Sequence, residues 1–225
     1  MTQHRSSRKP LAVLTDFDGT LTVKDVGVLL LDTFASPEWR KEPELWRKGL
    51  IETFKELNER EFSYLPAAKE REMAAFAVAN TQLRDGALEL VEYCRNKSIP
   101  LEIVSGGLDF YMRPVLDHHG LTTLPVLCLK HADFSSGDFV VPTYAEEVVV
   151  CDITGACKCS RIWHYQVLGY EVIYLGDGNS DRCPATQADV LFARDALAGY
   201  CDEKRISYKR FESMREVVAF LKSAT

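Results

Sequence analysis

The stretch VLTDFDGTLT, residues 13–22, decides how the rest of the chain is read. It lies within LAVLTDF (11–17), a near-continuous apolar run of the kind found in a parallel strand buried on both faces. The run ends in two aspartates, Asp16 and Asp18. In extended backbone the side chains at i and i+2 point the same way, so two like charges are aimed at one place. Clustered carboxylates repel. At neutral pH either one of them stays protonated or a cation sits among them.

Downstream of this strand the pattern changes. VGVLLLDTF, ELWRKGLIETFKEL and AAKEREMAAFAVAN space their apolar residues by three and four, which predicts helices throughout 24–82. Pro37, Pro43 and Pro66 mark helix starts or turns in this block. From residue 86 onward, helices alternate with strands. Helices are expected over 86–97, 109–120, 158–169 and 180–188, with Pro114 tolerable only near a first turn. Strands are expected over 99–107, 171–178 and 190–193, and a hairpin over 125–134 and 138–145. The tail reads as a helix, a short strand near YKRF (208–211) and a final helix, MREVVAFLKS. This alternation predicts an α/β fold: a doubly wound, Rossmann-like parallel sheet formed by 1–23 and 83–225, with an all-helical cap, 24–82, inserted in it.

Ligands of such sheets bind outside the carboxyl ends of the strands. Those ends carry Asp16 and Asp18, then Ser105-Gly106-Gly107, then GDGNSD (176–181), while Lys158 opens the helix before the last of these strands. Asp16, Asp177 and Asp181 are hard oxygen ligands, which favour Mg²⁺. The glycines offer backbone N–H groups to an anion, Ser105 adds a hydroxyl, and Lys158 adds a positive charge. Together they describe a phosphate site. A carboxylate there can act as a nucleophile, and a second carboxyl can protonate a leaving alkoxide. The competing reading makes the aspartates helix caps and turn residues.

The bulk numbers set limits. The 225 residues are 46% hydrophobic, enough for a full core, and the net charge of −6 argues against a nucleic-acid groove. No apolar run is long enough to span a bilayer. The opening MTQHRSSRKP has no apolar segment and reads as a frayed tail, not an export signal. Seven cysteines, an odd number, are then read as reduced thiols of a cytoplasmic protein. Cys151, Cys157 and Cys159, with His131, do not match a common zinc spacing.

DFDGT (16–20), the serine of IVSGG (103–107), Lys158 and GDGNSD (176–181) occur in the order of the four motifs of the haloacid dehalogenase superfamily, which the chain resembles over nearly its whole length. The resemblance implies Asp16 as nucleophile and Asp18 as acid/base. It implies Mg²⁺ held by the Asp16 carboxylate, the Asp18 backbone carbonyl and Asp177, with support from Asp181, and a phosphoryl group bound by Ser105, Gly106 and Lys158. A cap between the first two motifs is the arrangement of the phosphoserine-phosphatase-like branch. Within it, PEW (37–39), SGGLDFY (105–111), the cysteine-bearing stretch before Lys158 and LFARDAL (191–197) resemble the 2-hydroxy-3-keto-5-methylthiopentenyl-1-phosphate phosphatases of methionine salvage. Phosphoserine phosphatases typically carry Glu nine residues after the nucleophile, where this chain has Asp25. Phosphocholine and phosphoethanolamine phosphatases belong to the same branch. The expected partner is a small phosphate ester, with no nucleic acid or membrane, for a monomer or homodimer. Asp25 and Arg60 are the candidates for substrate specificity.

Overall fold

In the computed structural model, the described residues are 9–131, 140, 142–143 and 148–224. The first strand, β1 (Leu11–Thr15), is buried along its whole length, which is why its sequence does not alternate. Its large apolar side chains are each worth about 1.5–3 kcal/mol of burial. Four helices follow: α1 (Val26–Phe34), α2 (Lys41–Arg47), α3 (Phe54–Phe62) and α4 (Glu70–Asn80). Pro37 begins a 3₁₀ turn, Pro43 lies in the first turn of α2, and Pro66 precedes another 3₁₀ turn.

The remaining chain alternates as expected. It runs through α5 (Ala87–Asn96), β2 (Leu101–Leu108), α6 (Asp109–His118), β3 (Val126–His131) and β4 (Pro142–Thr143). A two-stranded ribbon, β5 (Val150–Cys151) and β6 (Gly155–Ala156), comes next. Then come α7 (Lys158–Val167), β7 (Glu171–Gly176), α8 (Arg182–Ala185), β8 (Val190–Ala193), α9 (Asp195–Lys204), β9 (Lys209–Arg210) and α10 (Met214–Ala224).

Seven strands form one sheet in the order β4-β3-β2-β1-β7-β8-β9. All neighbours are parallel except β4, which runs antiparallel to β3. That antiparallel pair is the described part of the expected hairpin; its connection, with Ser135, Ser136 and Gly137, lies outside the described residues. Helix α10 packs by the stripe Met214, Val217, Val218 and Leu221, spaced as one helical face.

Two local expectations shift, and one element is new. Pro114 sits inside α6 beyond its first turn. The helix expected over 180–188 is a 3₁₀ turn, Asn179–Asp181, followed by the single α-turn of α8. The β5–β6 ribbon has no alternating signature, being two residues per strand.

The two connections between the core and the helical block run side by side. Val23 N–H donates to the Gln82 carbonyl at 2.9 Å, and Thr22 and Leu83 form an isolated antiparallel bridge.

Candidate active site

The strand order reverses at β1: the chain builds outward to β3 and β4, then returns beside β1 as β7. A crevice therefore opens beyond the carboxyl ends of β1 and β7. Asp16 follows β1 directly and Asp177 follows β7, while Ser105 lies near the end of β2. A cavity of about 250 Å³ occupies this place, and Asp16, Asp18, Ser105, Gly106, Gly107 and Asp177 line it.

Lys158 is the ionic centre. Its ammonium is buried and lies 2.8 Å from Asp16 Oδ2, 2.7 Å from Asp181 Oδ1 and 3.0 Å from Ser180 Oγ. Burial alone would lower its pKa, but the charges of Asp16 and Asp181 outweigh that and hold it above its ordinary value. Asp181 is fully buried. Its Oδ1 also accepts from the Tyr174 hydroxyl at 2.6 Å, and its Oδ2 accepts from the backbone N–H groups of Asp177 and Gly178, both at 3.0 Å. Asp181 is thus saturated and does not line the cavity, whereas Asp16 and Asp177 do. Oxygens of Asp16, Asp177 and Asp181 all lie within 4.8 Å of one another. One lysine does not balance this cluster. Burial and neighbouring carboxylates push Asp16 well up, and push Asp177 up to about 7. An all-oxygen, electron-rich donor set of this kind fits a hard divalent cation, so the residues present suit Mg²⁺.

Asp18 reaches the cavity by a different route from strand alternation. After Asp16 the chain enters a tight turn, Phe17–Leu21, in which Asp18 is extended (φ −68°, ψ 122°) and Gly19 has φ 73°. At Gly19 an added Cβ would strike the Asp177 carboxylate, so both conformation and space require glycine. Thr20 Oγ1 donates to Asp177 Oδ1 at 2.5 Å, pinning the turn to the end of β7. The Asp18 carboxyl accepts from Val26 N–H and from the Tyr111 hydroxyl, each at 2.9 Å. Burial, then Asp25 and Asp16, push its pKa well above the ordinary range, the condition of a proton donor. A Cβ at Gly107 would run into the Tyr111 hydroxyl and Asp18, so the Gly-Gly pair permits this approach. Ser105 Oγ accepts from Gly107 N–H at 2.9 Å, which leaves its proton to donate elsewhere.

The helical block forms the opposite wall. Phe54, Leu57, Asn58 and Glu61 line the cavity from one face of α3 at i, i+3, i+4 and i+7. Asn58 Nδ2 donates to the Gly106 carbonyl at 3.0 Å, and Lys55 N–H donates to the Ile153 carbonyl at 3.0 Å, so α3 is docked on the core. Asp25 also lines the cavity and caps α1 through Val28 N–H at 2.8 Å. Arg60 does not line it: its guanidinium pairs with Glu56 at 2.7 Å and lies 3.5 Å from Glu42. The next residue, Glu61, faces in. Its carboxyl has no hydrogen-bond or ion-pair partner among the described residues, and burial, then Asp25 and Glu42, push its pKa up to about 8. Its signal was the α3 spacing itself. Cys157 and Cys159 flank Lys158, but no cysteine lines the cavity among the described residues: Cys159 Sγ is 3.2 Å from Cys183 Sγ, and Cys151 Sγ is 3.0 Å from Thr154 Oγ1. The side chain of His131 lies outside the described residues.

Comparison with known proteins agrees with this geometry. The family described as haloacid dehalogenase-like hydrolase matches residues 13–185. A protein of Brevibacillus brevis named 2-hydroxy-3-keto-5-methylthiopentenyl-1-phosphate phosphatase is 32% identical, over 95% of this chain and 96% of its own. One of the same name from Geobacillus thermodenitrificans is 33% identical over the same shares. A phosphoserine phosphohydrolase-like protein of Francisella tularensis shares the fold, with a TM-score of 0.68 at 22% identity over 93% of this chain and 99% of its own. With the four motifs gathered at one crevice, the chain belongs to the haloacid dehalogenase-like hydrolase family and is one of its phosphatases.

Proposed function

We propose that the chain is a Mg²⁺-dependent phosphomonoesterase acting through an aspartyl-phosphate, and that its substrate is 2-hydroxy-3-keto-5-methylthiopentenyl-1-phosphate or a close relative. The working unit would be a core, 1–23 and 83–225, under a helical cap, 24–82, in a cytoplasmic monomer or homodimer that uses neither nucleic acid nor membrane. No helix among the described residues is long and apolar enough to cross a membrane.

Asp16 attacks phosphorus, and Asp18 gives its proton to the departing ester oxygen. Asp18 then takes a proton from the water that hydrolyses the aspartyl-phosphate. Ser105 and the Gly106 N–H hold the phosphoryl oxygens, and Lys158, paired with Asp16, supplies positive charge beside them. The Asp16 and Asp177 carboxylates, with the Asp18 backbone carbonyl, would hold the cation, and Asp181 would orient them. When bound, Mg²⁺ offsets carboxylate charge and draws electron density from the phosphoryl oxygens.

The observation that carries the substrate reading is the wall opposite the phosphate end. It combines Val28, Leu31, Trp46, Phe54 and Phe62 with two carboxyls, Asp25 and Glu61. No Lys or Arg lines the cavity among the described residues. The carboxylate of phosphoserine would find no cationic partner there. A hydroxyl, a ketone and a methylthio tail meet hydrogen-bonding carboxyls and apolar walls. The names of the relatives support the same reading. The carboxyls and aromatic rings also suit a cationic amine, which keeps phosphocholine and phosphoethanolamine as the second reading.

The test is kcat/KM, with Mg²⁺, for the enol phosphate, phosphoserine, phosphocholine, phosphoethanolamine and p-nitrophenyl phosphate. The enol phosphate should exceed phosphoserine by about 100-fold or more, a discrimination within reach of unpaired polar groups. Preference for phosphoserine would overturn the substrate reading.

A further inference from the structure

Arg84 ends the return connection from the helical block, just before α5. It is buried, 7% exposed, yet among the described residues its partners are carbonyl oxygens and no carboxylate. Its Nε donates to the Thr20 carbonyl at 2.7 Å. Its Nη2 donates to the Gly19 carbonyl and to that of Thr22 at 3.0 Å, and approaches the Val23 carbonyl at 3.5 Å. Its own backbone N–H donates to the Leu21 carbonyl at 2.8 Å. A buried charge is unfavourable unless it is fully hydrogen-bonded, and here one guanidinium is committed to the backbone of the turn that carries Asp18 and Thr20.

We propose that Arg84 is a positioning residue for the acid/base step: it fixes the Asp18 turn and ties it to the hinge of the helical block. The proposal rests on the reading of Asp18 as acid/base. Three anchors set the Asp18 carboxyl. Two bind it directly, Val26 N–H at the start of α1 and the Tyr111 hydroxyl of the core. The third is the backbone that follows Asp18, where Arg84 gathers the carbonyls of Gly19, Thr20 and Thr22. Both hinge strands pass through the same knot, since Val23 and Gln82 pair there and Arg84 itself belongs to the return strand. A planar fork can reach several carbonyls at once, whereas a lysine ammonium is a point charge on a flexible stem and cannot reproduce that geometry.

A clamp needed only for folding and a clamp that aims Asp18 differ in one readout. p-Nitrophenolate departs without help from an acid, while an alkyl or enol oxygen needs a proton. Through phosphorylation, kcat/KM of Arg84→Lys should fall about 10- to 100-fold on the best alkyl or enol ester of the panel, part of the 10²–10⁴ that general acids supply. On p-nitrophenyl phosphate it should fall no more than about threefold. In an Asp18→Asn background the same substitution should add less than about twofold, because residues acting through one another are not additive. Thermal unfolding of each variant comes first, and Arg84→Gln carries the same comparison if Arg84→Lys does not fold. Equal losses on both esters, unchanged rates, additivity with Asp18→Asn, or failure of both variants to fold would overturn the proposal. If Asp18→Asn itself leaves the ester ratio unchanged, the acid/base reading fails and takes the proposal with it. If Asp18→Asn shifts the ratio and Arg84→Lys does not, the proposal alone fails.

Discussion

The phosphate end of the cavity and the wall that α3 presents to it are built on opposite principles. At the phosphate end polar atoms are already matched: Lys158 has three acceptors, Asp181 has four donors, and Thr20 holds Asp177. On the wall, the Glu61 carboxyl has no partner among the described residues, and it lies among apolar and aromatic side chains with Asp25 and Glu42 as the nearby charges. Preorganised dipoles and charges accelerate chemistry because they need not move during it. Unmatched polar groups in an otherwise apolar wall select, because the substrate must supply the missing partner. The chain keeps the first kind on strand ends and the second on an inserted helix.

The largest effect that could break this division comes from Asp16→Asn, which removes the nucleophile. We expect kcat to fall by about 10⁴ or more with the thermal unfolding curve preserved, since the amide is isosteric. Lys158→Met should be next. It leaves Asp16 and Asp181 buried without their cation, so stability should fall by about 3–5 kcal/mol alongside activity. A chemical denaturation curve reads this, and an unchanged midpoint would mean that the Lys158 pairs carry no structural weight.

Metal removal gives a smaller shift. EDTA should abolish turnover, and Mg²⁺ at about 100 times its dissociation constant should stabilise the wild type by about 2.7 kcal/mol. Asp177→Asn should lose most of that gain, and an equal gain in both proteins would remove Asp177 from the binding set. The smallest effect belongs to the wall. Burial, with Asp25 and Glu42 nearby, pushes the Glu61 carboxyl up to about 8 in the folded chain from an ordinary value of 4.5. Between those values the folded chain holds a proton that the unfolded chain has lost, so stability falls as pH rises through the window. Glu61→Gln removes that slope. After allowance for its cavity-facing side, the variant should gain about 1 kcal/mol over wild type between pH 5 and pH 9, or roughly 2–4 °C in Tm. Its KM for the enol phosphate should rise severalfold with p-nitrophenyl phosphate little affected. Parallel Tm values across pH would show that Glu61 is not held neutral.

Those two principles also explain what the sequence discloses. The phosphate end is legible because each part is local: an apolar run stopped by aspartates, glycines where the backbone must approach, a lysine opening a helix. The order of the strands follows from the same alternation. The wall is less legible, because facing is a tertiary fact. Arg60 and Glu61 are adjacent on α3, about 100° apart around its axis, and only the docking of α3 decides which one turns inward. The spacing Phe54, Leu57, Asn58, Glu61 marks the inward face once Phe54 is known to line the cavity. Tyr111 is visible only as the last residue of SGGLDFY, and Arg84 left no comparable trace. A lone arginine in a connection reads as a solvated charge, and its carbonyl partners belong to residues some sixty positions away in sequence.

If Asp16 is the nucleophile, the phosphoryl group goes to it first. Wild type mixed rapidly with p-nitrophenyl phosphate and Mg²⁺, quenched in acid and digested, should show a phosphoryl adduct on the peptide that contains Asp16, and Asp16→Asn should show none. Phosphate release at full rate with the adduct on another residue, or with no adduct at any quench time, would contradict it.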